Sequence, residues 1–295
     1  MKNKAALTIY KEELLKIINR DFKIDVLDTT CSFAEGPVWS SEGFYLFSDI
    51  PQNCIYKIQP HGKKELYIKD SGCSSSGMEI LSHQIGSNGL AFDDKNDLLI
   101  CQHGNGAIAR WNKEKIDPLI PFYQTKRLNS PNDIVVHEDG SVFFSDPPYG
   151  LKDQKLNAEF CQATAGFYCW RDGALQLFCD QYNYPNGVCL SPDHNSLYTC
   201  SNKPDEAFVL EFDTITLALK RTVCHENSDG IKCDRHGNFY LANKEGVLIL
   251  NKKGEKIGLI KLATTPANLC WGGAEGNDLF VTARENIFLL TNLQK

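Results

Sequence analysis

The 295-residue sequence predicts an all-β chain: a six-bladed β-propeller with a short N-terminal helical extension. Three observations predict it. A polar residue, usually followed by Gly and then by an alternating apolar strand, recurs six times: Glu35 in AEGPVW, Asn88 in SNGLAFD, Asn132 in PNDIVV, Asn186 in PNGVCLS, Asp229 in SDGIKCD and Asn268 in ANLCWGG. Their intervals of 53, 44, 54, 43 and 39 residues fit a blade of four short strands, about 40–50 residues. Each repeat also returns the same order of apolar strand, polar turn and second apolar strand, as in PVW, SSEG, FYLFSD or IVVH, EDG, SVFFSD. The turns are rich in Asp, Asn and Gly, which tolerate positive φ in tight hairpins.

Before the first repeat, residues 1–21 read as a helical lead-in, with Leu7, Leu14, Leu15 and Ile18 in loose amphipathic spacing. The last repeat supplies only about three strands before Lys295. A strand around Phe22 to Cys31 is therefore expected to complete that blade, because closing the ring from both termini removes exposed edges. This divides the chain into an extension, 1–21, and a propeller domain, 22–295. The longer loops, Ser71 to Ile85 and Lys152 to Thr164, read either as the rim of a substrate mouth or as surface insertions.

Composition narrows the function. A net charge of −6 argues against nucleic acid, since phosphate binding needs a basic surface. Lys11, Glu12 and Glu13 interrupt the N-terminal region, which lacks the apolar run of a secretory signal. No span approaches the roughly 20 apolar residues that cross a bilayer, so no membrane partner is expected and the expected location is cytoplasmic. None of the twelve cysteines is spaced C-x-x-C, and no Cys/His cluster has zinc-ligand spacing. Most lie in apolar runs, and they read as buried free thiols of a reducing compartment. Neither a G-x-S-x-G elbow nor a phosphate-binding P-loop is present.

The first strand of each propeller blade lines the central channel, so the six repeat heads converge on one axis. Two carboxylates and four amides then share a space. Such oxygen donors suit a hard divalent cation rather than a thiolate metal. Asn, Asp and Gly could instead simply form the turns before strands. Turn chemistry does not, however, require an acid in the first and fifth repeats.

FAEGPVW, SNGLAFD, CQHGN, RLNSPNDIVV, SDPPYGL, YPNGVCLSPD, SDGIKCDRHGN and NLCWGG, taken in order, resemble the gluconolactonase-like family that includes regucalcin (senescence marker protein). The resemblance covers nearly all of residues 30–292. It implies one divalent cation, calcium first, with magnesium, manganese or zinc as alternatives. Glu35, Asn186 and Asp229 match the family's metal ligands, and Asn132 matches the channel asparagine adjoining both metal and substrate. Arg127 resembles the arginine that binds substrate oxygens, although this chain carries extra residues between arginine and asparagine. His103 and Asp146 are similar to family residues near the channel mouth; the plainer roles for them are a structural hydrogen bond and a strand-end turn.

The implied reaction is hydrolysis of a small sugar lactone. The cation would act as a Lewis acid on the lactone carbonyl and a nearby water, Asp229 would take the water's proton, and Arg127, Asn129, Asn132 and His103 would orient the substrate. Two other functions stay open on the sequence: an organophosphate hydrolase using the same site, and a non-enzymatic calcium-binding or protein-binding propeller. Protein partners and oligomeric state are not read from it.

Overall fold

The computed structural model describes residues 6–73 and 84–295. Six antiparallel sheets follow one another along the chain, and each begins with its innermost strand: Ala34–Ser40, Ser87–Phe92, Ile134–Val136, Pro185–Leu190, Ile231–Cys233 and Asn268–Gly272. Each of these packs against the next around the ring, and the sixth packs against the first. The result is the predicted six-bladed propeller.

Packing explains the ring. Second strands such as Phe44–Asp49 and Ser196–Ser201 are buried throughout, whereas the outer strand Leu219–Cys224 is mostly exposed. A strand held between two neighbouring blades must be apolar on both faces, and FYLFSD and SLYTCS read that way. The buried side chains form six hydrophobic clusters, one for each junction between adjacent blades. Each cluster needs the blade beside it, so the ring folds as a unit. All twelve cysteines are free and nine are buried, as expected of small apolar fillers.

The first hairpin of every blade turns through a left-handed residue: Gly43, Asn96, Gly140, His194, Gly237 and, in blade six after a left-handed Gly273, Gly276. Five are the Gly or Asn that such a turn favours. His194 is the exception.

Closure uses the N-terminus as expected. Lys23–Asp28 pairs antiparallel with Asn286–Thr291 and becomes the outer strand of blade six. The lead-in is less helical than its leucine spacing suggests. Its helix is the single turn Leu14–Ile17, and Leu7–Ile9 is a strand that adds a fifth member to blade five beside Lys256–Ile260. The β-branched Thr8 and Ile9 favour that outcome, and the free edge of blade five supplies the pairing groups. Leu14 and Ile18 then reach the cluster between blades five and six. A Cβ on Gly258 would lie 2.4 Å from Leu14 Cδ2, so the glycine leaves the seat that Leu14 fills. Among the described residues no helix is long and apolar enough to cross a membrane.

Leu14→Ala should therefore cost about 2–5 kcal/mol of unfolding free energy, although it lies outside the repeats. Leu219→Ala, on an exposed outer strand, should change stability by under about 0.5 kcal/mol. Urea unfolding of the two variants checks this, and equal effects would contradict the packing described.

Candidate active site and cation site

The repeat heads stand at one end of the innermost strands, where the backbone leaves the regular ladder. Strand pairing slips between Glu35 and Val38, between Ser87 and Leu90, and between Pro185 and Val188. Such bulges release Glu35, Asn88 and Asn186 from the alternation and re-aim their side chains. Asn132 and Asp229 lie two residues ahead of their strands, and Asn268 begins its own.

Neighbouring heads touch through their main chains. Gly89 N–H donates to Asn132 O at 2.7 Å, and Gly187 N–H donates to Asp229 O at 2.9 Å. A Cβ on Gly36, whose φ is +54°, would fall 2.0 Å from Asn88 O. That is why Gly follows four of the six heads. In blade three Asp133 stands where four of the other repeats have Gly and the sixth has Leu269, and its Oδ2 accepts from Val188 N at 3.0 Å, reaching the next blade with a side chain.

Around this ring the carboxylates crowd together. Glu35 is buried, accepts from Gly36 N at 3.0 Å and is bonded by the Asn268 side chain. Asp229 Oδ1 accepts from Asn186 Nδ2 at 2.6 Å and from Asn202 Nδ2 at 3.1 Å. Burial, then the charges of Asp229 and Asp133, push the Glu35 carboxyl well above the usual carboxylate range. Asp229 is pushed up to about 6, by burial first, while the bonds from Asn186 and Asn202 and the charge of Arg284 pull it back. Lys232 Nζ sits 3.4 Å from Asp133 Oδ2 and offsets part of the negative charge.

This donor set fits a hard cation. Glu35, Asp229, Asn186 and Asn132 offer oxygen alone, and the Asn88 Oδ1 atom is buried with no hydrogen-bond partner among the described residues. Two buried carboxylates that repel one another are the arrangement a divalent charge relieves.

Of the substrate residues expected from sequence, Asn132 is buried at the head of blade three. His103 is also buried, with Nε2 3.4 Å from Asn88 Nδ2. Burial, then the Arg127 charge, lowers its imidazole to about 4, so it is neutral near pH 7. Arg127 sends Nη2 to the His103 and Asn129 carbonyls at 2.9 and 3.2 Å and Nε to Leu128 O at 3.2 Å. Its donors hold a loop, and Nη1 is buried without a partner. Asn129 Nδ2 likewise donates to Thr164 O at 2.9 Å. Asp146 accepts from Asn129 N and Ser130 N, both at 2.8 Å. Asp49 does the same for Ser32 N and Phe33 N. The two SD motifs thus tie down the segments leading to Asn132 and Glu35.

The structure adds residues the repeat pattern does not single out. Tyr149 Oη donates to Asn202 Oδ1 at 2.5 Å, and its ring lies 5.8 Å from that of Tyr184, over which Lys203 Nζ sits at 4.3 Å. Asn202, Tyr149, Lys203 and Arg284 lie between or beyond the heads, where spacing gives no signal. Asp133 carried one, as the acid that replaces Gly in SPND. Residues 74–83 of the Ser71 to Ile85 loop lie outside the described residues.

The family model described as SMP-30/Gluconolactonase/LRE-like region matches residues 33–285. The chain belongs to this family. It is 29% identical to a gluconolactonase of Zymomonas mobilis over 305 aligned positions, which cover 95% of this chain and 84% of the relative. The solved structure of a gluconolactonase from Xanthomonas campestris superposes with a TM-score of 0.83 at 26% identity, covering 98% of this chain and 94% of the other. A calcium-binding regucalcin from Agrobacterium tumefaciens, at 17% identity and TM-score 0.72 over 93% of this chain and 95% of the other, shares the family's ring.

The raised carboxyls give a signed expectation for chelated protein. A carboxyl whose folded pKa exceeds its unfolded value stabilises the fold below the unfolded pKa, and that contribution is lost as pH rises through the folded one. In EDTA, the Asp229 contribution should therefore fall between about pH 4 and pH 6. A divalent cation should raise stability most above pH 6, where the carboxylate is free to bind it. Melting curves across this range check both signs, and a cation effect that grows towards acid pH would contradict them.

Proposed function

We propose that the chain is a divalent-metal-dependent lactonase that opens an aldonolactone such as glucono-1,5-lactone by attack of water in the central channel. One observation carries the reading: Asp229 Oδ1 is held by the Asn186 and Asn202 amides in the same ring of heads as buried Glu35, whose carboxyl the Asp229 charge pushes up. The names of the Zymomonas and Xanthomonas relatives, matched over most of both chains, support the reaction class.

Glu35, Asn186 and Asp229 would hold the cation, calcium by preference and magnesium, manganese or zinc as substitutes, with Asn132 adjoining it. When bound, the cation supplies Lewis-acid polarisation of the lactone carbonyl and of water. Asn186 and Asn202 both donate to Oδ1 of Asp229, which leaves Oδ2 to accept a proton from the attacking water. Tyr149 fixes Asn202 and so fixes the carboxylate. Asn132 and His103, neutral and buried, present amide and imidazole groups to sugar hydroxyls. Arg127 and Asn129 act on the same loop, where Arg127 still has an unpaired Nη1 to offer. Nine buried free thiols favour a reducing compartment such as the cytoplasm.

Proton release from glucono-1,5-lactone, followed by pH-stat, tests this. Activity should vanish in chelator, return with a divalent cation, and fall about 100- to 10 000-fold in Asp229→Asn. Full activity in chelator would overturn the metal-dependent reading. Faster turnover of a fluorophosphate than of any lactone would assign the site to organophosphates.

A further inference from the structure

At the opposite end of blades three and four from the repeat heads, His137, Glu138 and His194 bring one potential ligand atom each to within 4.8 Å of one another. Among the described residues no other three metal-ligating His, Cys or carboxylate side chains meet in this way. The two histidines are 57 residues apart and come together because both first hairpins end on the same face. His137 lies five residues beyond Asn132, roughly 16 Å along an extended chain, so this cluster is separate from the channel carboxylates.

The geometry points to a second metal site there, one for a late first-row divalent cation of the zinc class. Two imidazoles and a carboxylate form a borderline donor set, unlike the all-oxygen set of the channel. His137 Nδ1 is 2.8 Å from Asp139 Oδ1 and 3.2 Å from the Asp139 main-chain N; with Nδ1 protonated, that carboxylate orients the histidine and presents its other nitrogen. That nitrogen, Nε2, lies 3.1 Å from the His194 carbonyl oxygen, which is a further donor or the group that the cation displaces. His194 Nδ1 is sealed from solvent, has no hydrogen-bond partner, and stands 3.7 Å from Glu138 Oε2. The imidazole rings are 5.5 Å apart between centroids. Glu138 is open to solvent and leaves a path for the ion to enter.

The backbone supports the same assignment. His194 has φ +57° at the turn position that the other five blades give to Gly or Asn. A bulky side chain kept in this conformation is a reason to look for a role, and here its ring faces His137 of the neighbouring blade. C-x-x-C or H-x₃₋₅-H spacing could not have disclosed the cluster, because two blades contribute to it.

Calorimetric titration of the whole protein with Zn²⁺ in saturating Ca²⁺ tests the assignment. One equivalent of Zn²⁺ should bind to the wild type and to Asp229→Asn. His194→Asn and His137→Asn should each lose it. Asn accepts the left-handed turn at 194, so the first of these keeps the fold. Asp139→Asn should weaken Zn²⁺ binding about 10- to 100-fold, and Glu138→Gln, an exposed change, should weaken it without altering the melting curve. Zinc binding that survives both histidine substitutions, or that disappears in Asp229→Asn, would overturn the site. So would a wild type that takes no such equivalent. The titration is independent of lactone turnover.

Discussion

The inner strands of neighbouring blades meet main chain to main chain at the channel. Gly89 N–H reaches the Asn132 carbonyl and Gly187 N–H the Asp229 carbonyl, and at Gly36 there is no room for a side chain. These contacts fix the channel's width. They also fix its chemistry, since a residue one step before each small residue must project into whatever space the ring encloses. With Glu35 and Asp229 at two such steps, the charge of one bears on the carboxyl of the other. The raised carboxyls are the cost of that placement. A divalent cation would relieve it.

Around the ring the same device is used with different side chains. Asp49 and Asp146, at the ends of second strands, receive pairs of main-chain N–H groups from the segments that lead to Glu35 and Asn132. In blade four, Asn202 follows the second strand and turns instead to Asp229, while Tyr149 supports Asn202 from blade three. Asp133 stands at the position that four other blades give to Gly, and Lys232 answers its charge. Rigid strands carry the donors and polar loops hold them in place, the division of labour a preorganised site needs.

Much of this was legible in the sequence because it is periodic. Six heads at blade-length intervals give the ring, and a last repeat one strand short gives the use of Lys23–Asp28 for closure. Their acids and amides give a cation-binding channel as an expectation. What the sequence hides is aperiodic. Leu7–Ile9 becomes a strand because blade five offers a free edge, a tertiary fact that leucine spacing cannot contain. Arg127 looks like a substrate residue by its motif, yet its guanidinium donates to the carbonyls of His103, Leu128 and Asn129. Asn202 and Arg284 reach Asp229 from outside the repeat heads, and His137 and His194 meet only after two blades are side by side.

The proposed role of the channel carboxylates is to bind a cation. Anomalous diffraction from crystals soaked in Mn²⁺ tests it most directly. One strong peak bounded by Glu35, Asn186 and Asp229 is expected, absent from Asp229→Asn crystals. A channel without a peak at saturating Mn²⁺, or a peak unaffected by that substitution, would contradict it.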